Sequence, residues 1–167
     1  IGSAWSIQSV DAGGTFSSIA LDIEGNPHIS YNAGAAGLKY ARWTGSLWDF
    51  KSVDSVGICT SIALDSSDYP HISYYDPVND DLKYARWDGS DWNTFTIDST
   101  GAVGQYTSIE LDTNDYPHIS YYDATNGHLK YARLTESGWV NETVDDSASV
   151  GSYASLALDS VDNPHIS

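Results

Sequence analysis

Apolar and polar positions alternate along this chain in short runs that return on a regular beat. In Leu82-Lys83-Tyr84-Ala85-Arg86-Trp87, Leu82, Tyr84 and Arg86 fall on one face and Lys83, Ala85 and Trp87 on the other, the period-two pattern of a β-strand. Both faces carry packing groups, as in a sheet covered on two sides. No stretch holds a helical period. The runs are separated by turn chemistry, as in Asp65-Ser66-Ser67-Asp68-Tyr69-Pro70 and Asp88-Gly89-Ser90-Asp91. In this region the pattern predicts four strands: a over 61–65, b over 71–76, c over 82–87 and d over 92–98. Pro70 stands at a strand start, where its missing N–H costs little.

The same unit recurs. Ser18-Ile19-Ala20-Leu21-Asp22 returns from Ser61, Ser108 and Ser155 with small changes, at spacings of 43, 47 and 47 residues. Pro-His-Ile-Ser follows each time, from Pro27, Pro70, Pro117 and Pro164. Leu-Lys-Tyr-Ala-Arg begins at Leu38, Leu82 and Leu129, and a turn tryptophan comes next at Trp48, Trp92 and Trp139. Four short strands in roughly 40 to 50 residues is the blade size of a β-propeller, whereas leucine-rich, ankyrin and tetratricopeptide repeats are shorter and contain helix. The expected fold is all-β, a propeller of four-stranded antiparallel blades. One array spans 1–167: strand d of a partial blade over 1–11, blades over 18–54, 61–98 and 108–145, and strands a and b of a partial blade over 155–167.

These blades, of the form LDxxxxPHISYYD followed by LKYARW, resemble the repeats of secreted bacterial and archaeal β-propeller proteins over the whole chain. The resemblance implies a recognition or structural role at the cell surface and no specific chemistry. The fourth unit has no strand c, so the chain reads as an excerpt of a longer array or as one completed by another copy. Both readings predict self-association through strand edges left unpaired.

Charge narrows the partners. Seven Lys and Arg stand against 23 Asp and Glu, a formal net charge of −16. That field repels phosphate backbones and anionic lipid surfaces, so nucleic acid and membrane insertion are not expected. No apolar run approaches the roughly 20 residues that span a bilayer. A single cysteine, Cys59, permits no internal disulfide. Abundant Tyr, Trp, Ser and Asp suit an acidic protein outside the cell.

Three sets of residues invite chemistry. The histidines His28, His71, His118 and His165 occupy one strand position per blade, which spreads them around a ring and predicts structural roles and no shared metal. The Asp-rich a–b turns read first as plain turn capping, so no cofactor is expected, with calcium as the alternative. Six of the seven cations belong to the three Leu-Lys-Tyr-Ala-Arg strands, where each Arg is expected to pair with an Asp of its own or the next blade. Their alternative is a sialic acid site of the sialidase kind. No nucleophile elbow or phosphate loop is present, and an enzyme is not expected.

The leading functional reading is a structural or adhesive repeat protein that assembles through incomplete ends. The alternative is a lectin-like propeller with equivalent glycan sites in each blade, and a sialidase-like hydrolase comes third. For the lectin reading the candidate ligand residues are Tyr74, Tyr75, Asp76, Tyr121, Tyr122, Asp123 and the turn residues Trp48, Trp92 and Trp139. Aromatic faces beside carboxylates suit sugars, and the same aromatics equally suit an interblade core.

Overall fold

The computed structural model describes residues 5–167. Three antiparallel four-stranded sheets follow one another in chain order. Blade 1 comprises β1 (Thr15–Leu21), β2 (Pro27–Asn32), β3 (Leu38–Trp43) and β4 (Trp48–Asp54). Blade 2 comprises β5 (Ile58–Leu64), β6 (Pro70–Asp76), β7 (Asp81–Trp87) and β8 (Trp92–Asp98), and blade 3 β9 (Val103–Leu111), β10 (Pro117–Asp123), β11 (His128–Thr135) and β12 (Gly138–Asp145). A two-stranded hairpin, β13 (Leu156–Leu158) with β14 (Pro164–Ile166), begins a fourth. Of the strand d expected over 1–11, residues 5–11 form no strand, with no strand c beside them among the described residues, and 1–4 lie outside the described residues.

Strand a starts earlier than the hydrophobic pattern predicts. Each inner strand carries a bulge, at Phe16, Cys59 and Tyr106, with φ of 50°, 52° and 53°, and the register against its partner strand slips there. A bulge inserts one residue and flips the alternation, so the residues before it no longer read as continuing the strand.

The blades stack face to face. Leu38, Tyr40 and Val53 of blade 1 meet Ile62, Ile72, Tyr74 and Ala85 of blade 2, and Leu82, Tyr84 and Ile97 of blade 2 meet Val103, Ile109, Ile119, Tyr121 and Ala132 of blade 3. Repeated polar contacts fix the spacing. The first serine of each unit accepts the amide of the next blade: Ser18 Oγ from Ile62 at 3.2 Å, Ser61 from Ile109 at 3.2 Å and Ser108 from Leu156 at 3.1 Å. The serine of Pro-His-Ile-Ser accepts a threonine hydroxyl, Thr60 to Ser30 and Thr107 to Ser73. Ser120 has no such partner, because Ala154 stands where those threonines do.

Glycines permit the close approach. Gly104 has φ +100°, and a Cβ there would lie 2.6 Å from Leu82 Cα; at Gly57 and Gly151 it would meet Leu38 and Leu129. Gly104→Ala is therefore expected to lose about 2–3 kcal/mol, backbone strain and collision together. Gly25, at φ +83° with nothing within 4 Å, carries the strain alone. Urea midpoints for Gly104→Ala and Gly25→Ala check this: equal losses would mean the blades do not meet tightly there.

Candidate functional site

Each blade builds a short polar line from three strands. The Tyr84 hydroxyl lies 2.6 Å from His71 Nδ1, and His71 Nε2 lies 3.5 Å from the Asp65 carboxylate; Tyr40, His28 and Asp22 repeat this at 2.7 and 3.5 Å. Tyr131, His118 and Asp112 repeat it again. The aspartates are already engaged: Asp65 Oδ1 accepts the amides of Ser67 and Tyr69, both at 2.8 Å, and caps its own turn. His28 Nε2 is left without a hydrogen-bond partner, so the Asp22 contact is electrostatic. Burial lowers the pKa of all three imidazoles, more than the nearby carboxylates raise it. His28, His71 and His118 are thus structural, and burial disfavours their charged form.

The second aspartate of each a–b turn reaches the neighbouring blade. Asp115 accepts the Ser66 amide at 2.9 Å and its hydroxyl at 2.6 Å, and Asp162 does the same for Thr113. The oxygens that the calcium alternative would use therefore meet N–H and O–H donors. Among the described residues no group of three or more His, Cys, Asp or Glu is placed to hold a metal.

The aromatic candidates go inward. Tyr74 and Tyr121 are fully buried and donate to Asp54 at 2.7 Å and Asp98 at 2.8 Å, while Tyr75, also buried, donates to Asp80. Asp76 and Asp123 are buried caps of the b–c turns. Tyr122 is half-buried beside Tyr106. Trp92 stands edge-on to Tyr40, Trp139 to Tyr84 and Trp48 to Trp43. Strand alternation thus sets Tyr74 and Tyr121 in the interblade layer, whereas Tyr75 also lines a cavity of about 620 Å³ with Tyr106 and Tyr153.

The cations divide differently from expectation. Among the described residues every lysine has a carboxylate within 4 Å and no arginine does: Lys83 pairs with Asp54 at 2.5 Å, Lys130 with Asp98, Lys39 with Asp11 and Lys51 with Asp49. The alternation explains it. Lys83 faces the preceding blade, where Asp54 ends strand d, whereas Arg86 faces the following one and emerges exposed.

Those arginines open into grooves between blades. Arg86, Tyr84 and Asp88 of blade 2 face Asp115, Tyr116 and Leu134 of blade 3 across a cavity of about 350 Å³, into which Tyr69 and Trp87 also reach. The equivalent groove between blades 1 and 2, about 160 Å³, is lined by Arg42, Asp49, Lys51, Asp68, Tyr69 and Trp87. Asp88 is held well below the usual carboxylate range by the Asp91 and Ser90 amides and the Asn93 side chain. The sequence pattern offered the arginines a sialic acid site only as the alternative to Asp pairing, and gave Lys51, Tyr69 and Tyr116 no role, because it rests on what the repeats share. The available signal was the reverse: Trp43, Trp87 and Leu134 are equivalent, as are Lys51, Phe95 and Glu142, so the repeat changes where it lines the grooves.

No protein-family model and no curated protein matches the chain. Among solved structures, the SapL1 lectin in complex with alpha methyl fucoside superposes with a TM-score of 0.66 at 21% identity, over 92% of this chain and 55% of that one. This is a β-propeller fold. A fucose lectin from Kordia zhangzhouensis in complex with methyl-fucoside gives a TM-score of 0.54 at 19% identity, over 77% of this chain and 99% of that one. An exo-beta-1,3-galactanase from Phanerochaete chrysosporium gives 0.55 at 15% identity, over 82% of this chain and 38% of that one. The propeller thus spans 55% of one lectin and is shared with a hydrolase, so the chemistry of the grooves has to separate the functions.

Proposed function

We propose that this propeller binds carbohydrate without cleaving it, outside the cell, in the grooves between adjacent blades. The observation that carries the reading is Arg86: an exposed guanidinium with no carboxylate partner, in a chain whose lysines are all paired among the described residues. Its five N–H donors are free for hydroxyls or a ring oxygen. Tyr69, Tyr116 and Trp87 line the same groove and offer apolar faces for the C–H side of a sugar ring. Two of the structural neighbours are lectins solved with fucosides, which supports binding over the purely adhesive role. A glycosidase needs one carboxyl raised into the range of a general acid. Asp88, held ionised by its turn, is unsuited to that task.

A glycan array with methyl fucoside among its members tests this, followed by calorimetry on Arg86→Ala. Because Arg86 is exposed, has no carboxylate partner and lies 6.0 Å from the centre of the Phe95 ring, the substitution is expected to weaken binding at least about tenfold, the worth of a charge-assisted hydrogen bond, while lowering stability by no more than about 1 kcal/mol. Absence of binding across a broad panel would overturn the reading.

A further inference from the structure

The groove between blades 1 and 2 differs from its repeat in one decisive position. Lys51 lies opposite Tyr40 across β3 and β4, so its side chain faces the groove; the equivalent partner of Tyr84 is Phe95. The Lys51 ammonium sits 4.7 Å from the centre of the Trp87 ring, with Asp49 at 3.9 Å. Arg42 lies in the same groove, with no carboxylate within 4 Å among the described residues. Two of seven cations in a chain of net charge −16 therefore meet one cavity of about 160 Å³, where they balance the carboxylates of Asp49 and Asp68, whereas Arg86 in the next groove faces Asp65, Asp88 and Asp115. In the groove between blades 2 and 3, Phe95 stacks on Tyr84 with centroids 6.0 Å apart, and Arg86 is the one lining cation.

We propose that the groove between blades 1 and 2 selects sugars bearing a carboxylate, and that Lys51 is the selecting residue. The inference rests on the carbohydrate reading above. A sugar that stacks on Trp87 must displace the ammonium from the indole face. A neutral sugar returns only hydroxyl acceptors for the lost cation–π contact, weaker partners for an ammonium than a carboxylate. A uronic acid gives Lys51 a carboxylate, and Arg42 supplies the second cation that offsets the repulsion of an acidic protein. Phe95 neither blocks its own groove nor answers an anion, and Asp65, Asp88 and Asp115 outweigh Arg86 there, which leaves that site to neutral sugars.

The two grooves are separated by silencing one. In the Arg86→Ala chain, calorimetry at low salt compares methyl β-glucuronoside with methyl β-glucoside. The expected result is a preference of about tenfold for the glucuronoside, reduced by added salt and abolished by Lys51→Phe, with quenching of tryptophan fluorescence on binding. A methyl galactoside 6-sulfate arm distinguishes carboxylate from sulfate: equal binding of the sulfate would overturn carboxylate selection. Equal affinity for the two uncharged and charged glucosides, unmoved by Lys51→Phe, would overturn the proposal while leaving sugar binding intact. Failure of the unaltered chain to bind any sugar on the array would overturn the carbohydrate reading itself.

Discussion

Asp98→Ala is expected to lower stability by about 3–5 kcal/mol, because it strands a charge between two blades. Asp98 ends β8 and is 6% exposed. Its carboxylate accepts the Lys130 ammonium, the Tyr121 hydroxyl at 2.8 Å and the Thr100 amide at 3.0 Å. Burial pushes the carboxyl up, and these three donors more than reverse it, leaving it below its ordinary range. Without Asp98, Lys130 stays in the interface with no counterion and Tyr121 with no acceptor. The first blade contains the control. Asp11 likewise accepts the Tyr31 hydroxyl at 2.7 Å, but it meets Lys39 at 3.5 Å with both side chains about a third exposed, where solvent screening limits the pair to under about 1 kcal/mol. Urea denaturation of Asp98→Ala and Asp11→Ala should differ by several-fold in lost stability, and Asp98→Ala with Lys130→Met should recover part of it. Equal losses at the two sites would show that the buried pair is not a fastening between blades.

The contrast also shows why the sequence spoke clearly about some levels and not others. Strands b, c and d were legible because Asp, Gly and Pro turns bracket them and the register slip of strand d falls only at its end, opposite Leu38, Leu82 and Leu129. Strand a was cut short at its start because the bulge at Cys59 and its equivalents reverses the alternation, and left-handed backbone at a cysteine or tyrosine has no signature in composition. The pairing of cations was legible only in kind. Lys and Arg three apart on a strand must face opposite blades, but which of them meets the aspartate depends on where strand d ends, a fact of three-dimensional offset. The tyrosines of Tyr74-Tyr75-Asp76 looked like a ligand surface because aromatic and acidic residues adjoin; stacking blades turned that surface into a core. The grooves were legible in principle, in the drift from Trp87 to Leu134 and from Lys51 to Phe95 within an otherwise faithful repeat.

The repeated histidines give the protein a second collective property, an acid limit to its stability. With the proton of a neutral ring on Nε2, facing Asp65, His71 Nδ1 accepts the Tyr84 hydroxyl. A second proton on that ring would confront the hydroxyl in a site shielded from water. His28, His71 and His118 are all buried and all have pKa values lowered first by burial, with Asp22, Asp65 and Asp112 opposing. The unfolded chain protonates its histidines near pH 6.5, so below that pH it binds more protons than the folded chain. Stability is therefore complete above about pH 7 and falls as pH drops through about 6.5, by up to roughly 1.4 kcal/mol per pH unit for each histidine. Asp54 and Asp98 act in a separate window: their pKa values are depressed, so their contribution is lost only as pH falls below the ordinary aspartate value of 3.8. Thermal unfolding followed from pH 7.5 to pH 5 should show the midpoint dropping well before the carboxylates titrate, and His71→Gln should flatten that slope by about a third if the three sites act alike. A midpoint that holds constant to pH 5 would mean that the imidazoles accept protons in place, and that the Tyr–His–Asp lines tolerate a charge in each blade.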